Sequence, residues 1–93
     1  MVATGQELYK TATIVNELGL HARAAARIAE IAGNATASVW LMKDNQKADA
    51  SSIVDILTLA CEKGTIITIH IENKSDFSIL QAIMELVESG FGE

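Results

Sequence analysis

A chain of 93 residues, 49% of them apolar, can bury one small core but not two. Its formal net charge of −5, with no Lys/Arg cluster to offset it, argues against nucleic acid and against anionic membrane surfaces as partners. No apolar run approaches the roughly 18 residues of a membrane span, and the one cysteine, Cys61, fits a reducing, cytoplasmic compartment.

Residues 1–9 lack the basic start and apolar stretch of a signal peptide and read as a flexible polar lead-in to a domain over residues 10–93. Residues 11–16 alternate, Ala12 and Ile14 against Thr11 and Thr13, which predicts a strand that Gly19 breaks. Residues 22–32 are alanine-rich and predict a helix with an apolar stripe of Ala25, Ile28, Ala29 and Ala32, closed by Gly33 at the C′ position. A second strand follows at 35–42, a turn at Asp44-Asn45, and a short third strand at 46–48. Residues 52–61 predict a helix closed by Lys63 and Gly64. Residues 65–72 form the strongest strand, with Ile67, Ile69 and Ile71 on one face and Thr68 and His70 on the other. A polar turn at 73–76 leads into a last helix whose stripe is Phe77, Leu80, Ile83, Met84 and Val87, ended by Gly90. The order β-α-β-β-α-β-α, with one apolar face per strand, predicts an α+β open-faced sandwich: a four-stranded antiparallel sheet with three helices on one face.

The chemistry concentrates at Gly19-Leu20-His21-Ala22-Arg23, where a strand ends and a helix begins. A helix start offers unpaired N–H groups and the positive end of a dipole, a seat for phosphate. That dipole favours the neutral, nucleophilic imidazole and would then stabilise a phosphoryl dianion on it, so His21 reads as a phosphoryl acceptor. Arg23, otherwise an ordinary solvated helix residue, carries a planar fork suited to the phosphate oxygens. Ser52, with Asp55 three positions on, has the spacing of a capping box. Its helix-start position also suits a regulatory phosphate, although Asp55 would meet that phosphate as like charge, and the residues leave both readings open. His70 reads as a solvated sheet residue, Cys61 as core, and Trp40 as a side chain on the open sheet face. No metal-ligand cluster, Walker-type loop or Ser/His/Asp set can be assembled, so neither cofactor nor metal is expected.

With those residues in view, the chain resembles HPr, the histidine-containing phosphocarrier family of the bacterial phosphoenolpyruvate-dependent phosphotransferase system. The likeness runs from about Lys10 to the C-terminus and includes Ser52-Ile53-Val54 and Lys63-Gly64-Thr65 at matching spacing. It implies a relay in which His21 takes a phosphoryl group on Nδ1 from phosphorylated Enzyme I and passes it to a IIA component of a sugar permease. The carrier is then a substrate of its partners rather than an enzyme. It further implies Ser52 as the target of an HPr kinase/phosphorylase, and Leu20, Ala24, Ile53, Val54 and Leu57 as partner-facing positions. A carrier that shows one face to successive partners is expected to be a monomer. The sequence departs from the family at Ala24, where proline is common, and at Glu30 and Asp55, where basic residues are frequent. Two alternatives stand beside this reading: a regulatory carrier of a nitrogen-related or incomplete phosphotransferase branch, and a binding module in which His21 is incidental.

Overall fold

The computed structural model describes residues 8–93. In chain order the elements are β1 (Tyr9–Thr13), α1 (Ala22–Ala32), β2 (Val39–Lys43), β3 (Gln46–Asp49), α2 (Ile53–Thr58), β4 (Ile66–Ile71) and α3 (Phe77–Glu88). Single 3-10 turns at Lys74–Asp76 and Gly90–Gly92 flank α3. The strands form one four-stranded sheet in the order β1-β4-β2-β3, and every neighbouring pair is antiparallel. The expected α+β open-faced sandwich is the observed fold.

Strand alternation builds the core. Ala12, Leu41, Ile67 and Ile69 point under the helices and are buried, while Thr11, Thr68 and Met42 point to the open face. The helices complete the core with Ile28 from α1, Ile56 from α2, and Leu80 and Ile83 from α3, all fully buried. Truncating one such residue, Leu41→Ala for example, costs about 2–5 kcal/mol.

The expected lead-in lies outside the described residues except for its last two positions, which meet the sheet edge and start it. Leu8 accepts a bond from the Ile71 N–H at 2.8 Å, and Tyr9 opens β1. β2 starts later than the alternation suggested, because Thr36 and Ala37 serve a loop instead. Their N–H groups and the Thr36 hydroxyl bond the buried carboxylate of Asp76 at 2.8–3.1 Å, which ties the α1–β2 connection to the start of α3.

Two helix ends differ from expectation. Gly33 caps α1 in the right-handed region (φ −65°, ψ −15°), so its conformational freedom is not used. α2 stops at Thr58, short of Cys61, because Ala60 turns left-handed at φ +52°. Lys43 Nζ stabilises that ending by donating to the carbonyls of Leu59 (2.9 Å) and Ala60 (3.3 Å). Cys61 is buried as expected, in the connection after α2, and burial pushes its thiol up from its ordinary range.

Candidate functional site

The loop between β1 and α1 is shaped by its fit against the loop before β4. Ile14 N–H donates to the Thr65 carbonyl, Gly64 N–H to the Ile14 carbonyl, and Leu20 N–H to the Cys61 carbonyl, at 2.7–2.9 Å. Gly19 makes that approach possible. Its φ is +64°, and a Cβ there would sit 2.3 Å from the Cys61 carbonyl oxygen. Only glycine combines that backbone with that closeness.

The turn delivers His21 to the N-cap of α1 in an extended conformation (φ −74°, ψ 177°), with no side-chain capping bond. Because α1 begins at Ala22, the amides of its first turn have no partner within the helix, and no acidic side chain occupies that turn. The imidazole is held from its far edge: Nε2 contacts a carboxylate oxygen of Glu93, and both side chains are largely shielded from solvent. Asn16, buried in the loop, donates from Nδ2 to the Gly19 carbonyl at 2.9 Å and to the other Glu93 oxygen at 3.2 Å.

The bond to His21 holds the Glu93 carboxyl below the usual carboxylate range, helped by Asn16 and by the charge of Arg23. An ionised carboxylate only accepts, so it assigns the ring proton to Nε2 and leaves the lone pair on Nδ1. Nδ1 makes no hydrogen bond among the described residues.

A cleft of about 330 Å³ is lined by Arg23, Ala24, Arg27 and the segment Phe91–Glu93, whose last residue holds the ring. Arg23 is exposed on the first turn of α1. Arg27, one turn further along the same face, donates from Nη1 to the Phe91 carbonyl at 2.5 Å. Both arginines line this cleft, and Glu93 joins it to the imidazole.

Of the residues singled out in the sequence, His21 and Arg23 lie together at this site. Ile53, Val54 and Leu57 form an exposed apolar stripe on α2, which packs beside α1. Leu20 and Ala24 do not join that surface. Leu20 is 5% exposed and Ala24 not at all, because the turn at Gly19 drives Leu20 inward and Ala24 belongs to the buried stripe of α1. Ser52 caps α2 as its spacing suggested, its hydroxyl accepting the Asp55 N–H at 3.1 Å. The reciprocal half of the box is absent: Asp55 turns to the Asp49 N–H at 3.1 Å, and the Ser52 N–H goes to the Asp49 carbonyl.

Asn16, Arg27 and Glu93 were missed. Arg27 carried a signal, lying one helical turn from Arg23. Asn16 and Glu93 carried none, since 77 residues separate them along the chain. Among the described residues no group of His, Cys, Asp and Glu is arranged to hold a metal, and no helix is long and apolar enough to cross a membrane.

Comparison with known proteins agrees with this geometry. Residues 8–89 match the family model described as the PTS HPr component phosphorylation site. The phosphocarrier protein HPr of Cupriavidus necator is 34% identical over 86 residues, 92% of this chain and 97% of that protein. The phosphocarrier protein NPr of Shewanella violacea is 36% identical over 87 residues, 94% of this chain and 96% of that protein. The crystal structure of HPr-C-His from Thermoanaerobacter tengcongensis superposes with a TM-score of 0.85 at 35% identity, covering 91% of this chain and 96% of that one. A helix-capping histidine with a free Nδ1, set in this sheet order and matched over nearly the whole chain, places the protein in the HPr family of phosphotransferase-system phosphocarriers.

Proposed function

We propose that His21 is the phosphoryl-carrying residue, and that the protein relays a phosphoryl group from phosphorylated Enzyme I to a IIA component of a sugar permease. The observation that carries this reading is the Glu93 contact on Nε2, which leaves Nδ1 as the nucleophile at a helix start. The Nδ1 lone pair attacks the phosphorus of the donor's phosphohistidine, the N–P bond to the donor breaks, and that imidazole leaves with its electron pair. His21 keeps its Nε2 proton throughout, so no separate base is required. Arg23 neutralises charge on the transferring oxygens, which is the main help a protein can give this reaction. The return step is the same displacement with His21 as leaving group, and the protein acts as a carrier between enzymes rather than as a catalyst.

Ile53, Val54 and Leu57 form the centre of the surface that meets Enzyme I and IIA, and the carrier works as a cytoplasmic monomer. Ser52 is proposed as a regulatory phosphosite for an HPr kinase/phosphorylase, on its position at the α2 N-cap. With ATP and such a kinase, intact mass should show one added phosphate on the wild type and none on Ser52→Ala; equal modification of both sinks the assignment.

The test of the carrier reading is transfer of labelled phosphate from phosphoenolpyruvate through Enzyme I. Acid-labile, base-stable label should appear on the wild type and be missing from His21→Ala. Absence of label on the wild type with the Enzyme I of its own organism overturns the reading. The likeness to an NPr supports a second output, in which the carrier serves a regulatory nitrogen-related branch. Transfer from the labelled carrier to regulatory IIA proteins alone, and not to those of sugar permeases, would establish it.

A further inference from the structure

We propose that Asn16 is a positioning residue that acts through Glu93 to fix which nitrogen of His21 carries the proton. The proposal deepens the carrier reading and rests on it for its kinetic consequence alone. Asn16 is 6% exposed, and its side chain bonds two groups that His21 also bonds. The first is the Gly19 carbonyl, which accepts Asn16 Nδ2 at 2.9 Å and the His21 backbone N–H at 2.9 Å. The second is the Glu93 carboxylate, whose Oε1 takes the Asn16 bond at 3.2 Å while Oε2 meets Nε2 of the ring. One buried amide thus sets both the backbone partner and the ring partner of the histidine.

The amide is itself part of the turn. The Asn16 carbonyl accepts the Gly19 N–H at 3.1 Å, so residues 16 and 19 bond each other in both directions. Exchanging the amide oxygen and nitrogen would set an acceptor against the Gly19 carbonyl and the Glu93 carboxylate, so the donor must face them. Oδ1 is buried and takes no bond from a protein group among the described residues. A buried unpaired acceptor opposes folding, so the side chain contributes through its donor. The C-terminal segment is anchored separately by its backbone. Arg27 Nη1 holds the Phe91 carbonyl at 2.5 Å, and the Glu93 N–H donates to the Gly90 carbonyl at 3.1 Å. Those bonds place the segment but leave the Glu93 side-chain torsions free. Among the described residues the carboxylate has two donors, Asn16 and His21, and only Asn16 is fixed independently of the ring. Without it the carboxylate can swing away, the proton can pass to Nδ1, and that fraction of the protein loses its nucleophilic lone pair.

The experiment pairs nitrogen NMR of His21 in the free protein, with the ring neutral, with labelled phosphate transfer through Enzyme I. Asn16→Asp keeps the shape of the side chain and replaces its donor by an acceptor. It should lower the share of His21 protonated at Nε2 and slow transfer about tenfold. Asn16→Ala removes the donor without adding charge and should move the tautomer balance in the same direction. Combining Asn16→Asp with Glu93→Gln reverses the polarity of the bridge. The new amide at position 93 can then donate to the new carboxylate and turn its oxygen to Nε2. The double variant should recover much of the wild-type balance and transfer faster than either single variant, a coupling that general damage to the turn would not produce. An unchanged balance in Asn16→Asp and Asn16→Ala, or a double variant in which the two losses simply multiply, overturns the proposal. A wild type that takes no label, while Asn16→Asp still shifts the balance, overturns the carrier reading and leaves the role of Asn16 standing.

Discussion

The protein has two histidines, and the fold gives them opposite circumstances. His21 ends a glycine turn at the N-cap of α1, with a carboxylate on Nε2 and an open Nδ1. His70 sits mid-strand in β4, between Tyr9 and Trp40 across the sheet, and its imidazole makes no hydrogen bond among the described residues. Strand register holds His70 on the open face, away from any helix start. The residue type is common to both positions; the backbone around it decides whether it can carry a phosphoryl group.

That contrast can be tested by substitution, beginning with the largest effect. His21→Ala should abolish labelled phosphate transfer while His70→Ala keeps it near the wild-type rate, and label retained by His21→Ala breaks the comparison outright. Arg23→Ala should slow transfer about 10²-fold, the usual scale for losing one group that stabilises the transition state. Pre-steady-state transfer rates measure it, and a loss below twofold would assign the charge stabilisation to Arg27 or to the backbone. Glu93→Gln should slow transfer by a smaller factor, about tenfold, because a neutral amide can bond either ring nitrogen through its donor or its acceptor. Its signature is a shift in the His21 tautomer balance seen by nitrogen NMR, which a merely structural role would leave unmoved.

Away from the site, Asp76 provides the pH test. Its carboxyl is held low chiefly by the Thr36 and Ala37 backbone bonds against the opposing cost of burial. Because its folded value lies below the unfolded one, its stabilisation is present above the ordinary carboxylate range and disappears as pH falls through the lowered value. Asp76→Asn should therefore lower the unfolding temperature at neutral pH and flatten the acid limb of the stability curve. An unchanged acid limb would place the main acid sensitivity at other carboxylates.

What the sequence revealed and what it hid follow the range of the interactions. α1 has the bounds expected from its alanine-rich stripe, since propensity and periodicity are local quantities. The apolar run Leu59, Ala60 and Cys61 continues the α2 pattern past its observed end, while the contact that ends the helix comes from Lys43 on β2. The family resemblance implies a partner-facing Leu20, and the Gly19 turn against Cys61 buries it. His21 and Arg23 could be found because a helix start is written locally. Glu93 reaches His21, and Asn16 reaches Glu93, only through the closed fold, and no local pattern announces them.

The central claim, that Glu93 holds Nε2 and leaves Nδ1 to take the phosphoryl group, is tested most directly by long-range proton–nitrogen and phosphorus NMR of His21 before and after phosphorylation by Enzyme I. The account predicts a protonated Nε2 in the free protein and a phosphorus coupling at Nδ1 in the product. A free protein protonated at Nδ1, or phosphorus bonded to Nε2 or to His70, would contradict it.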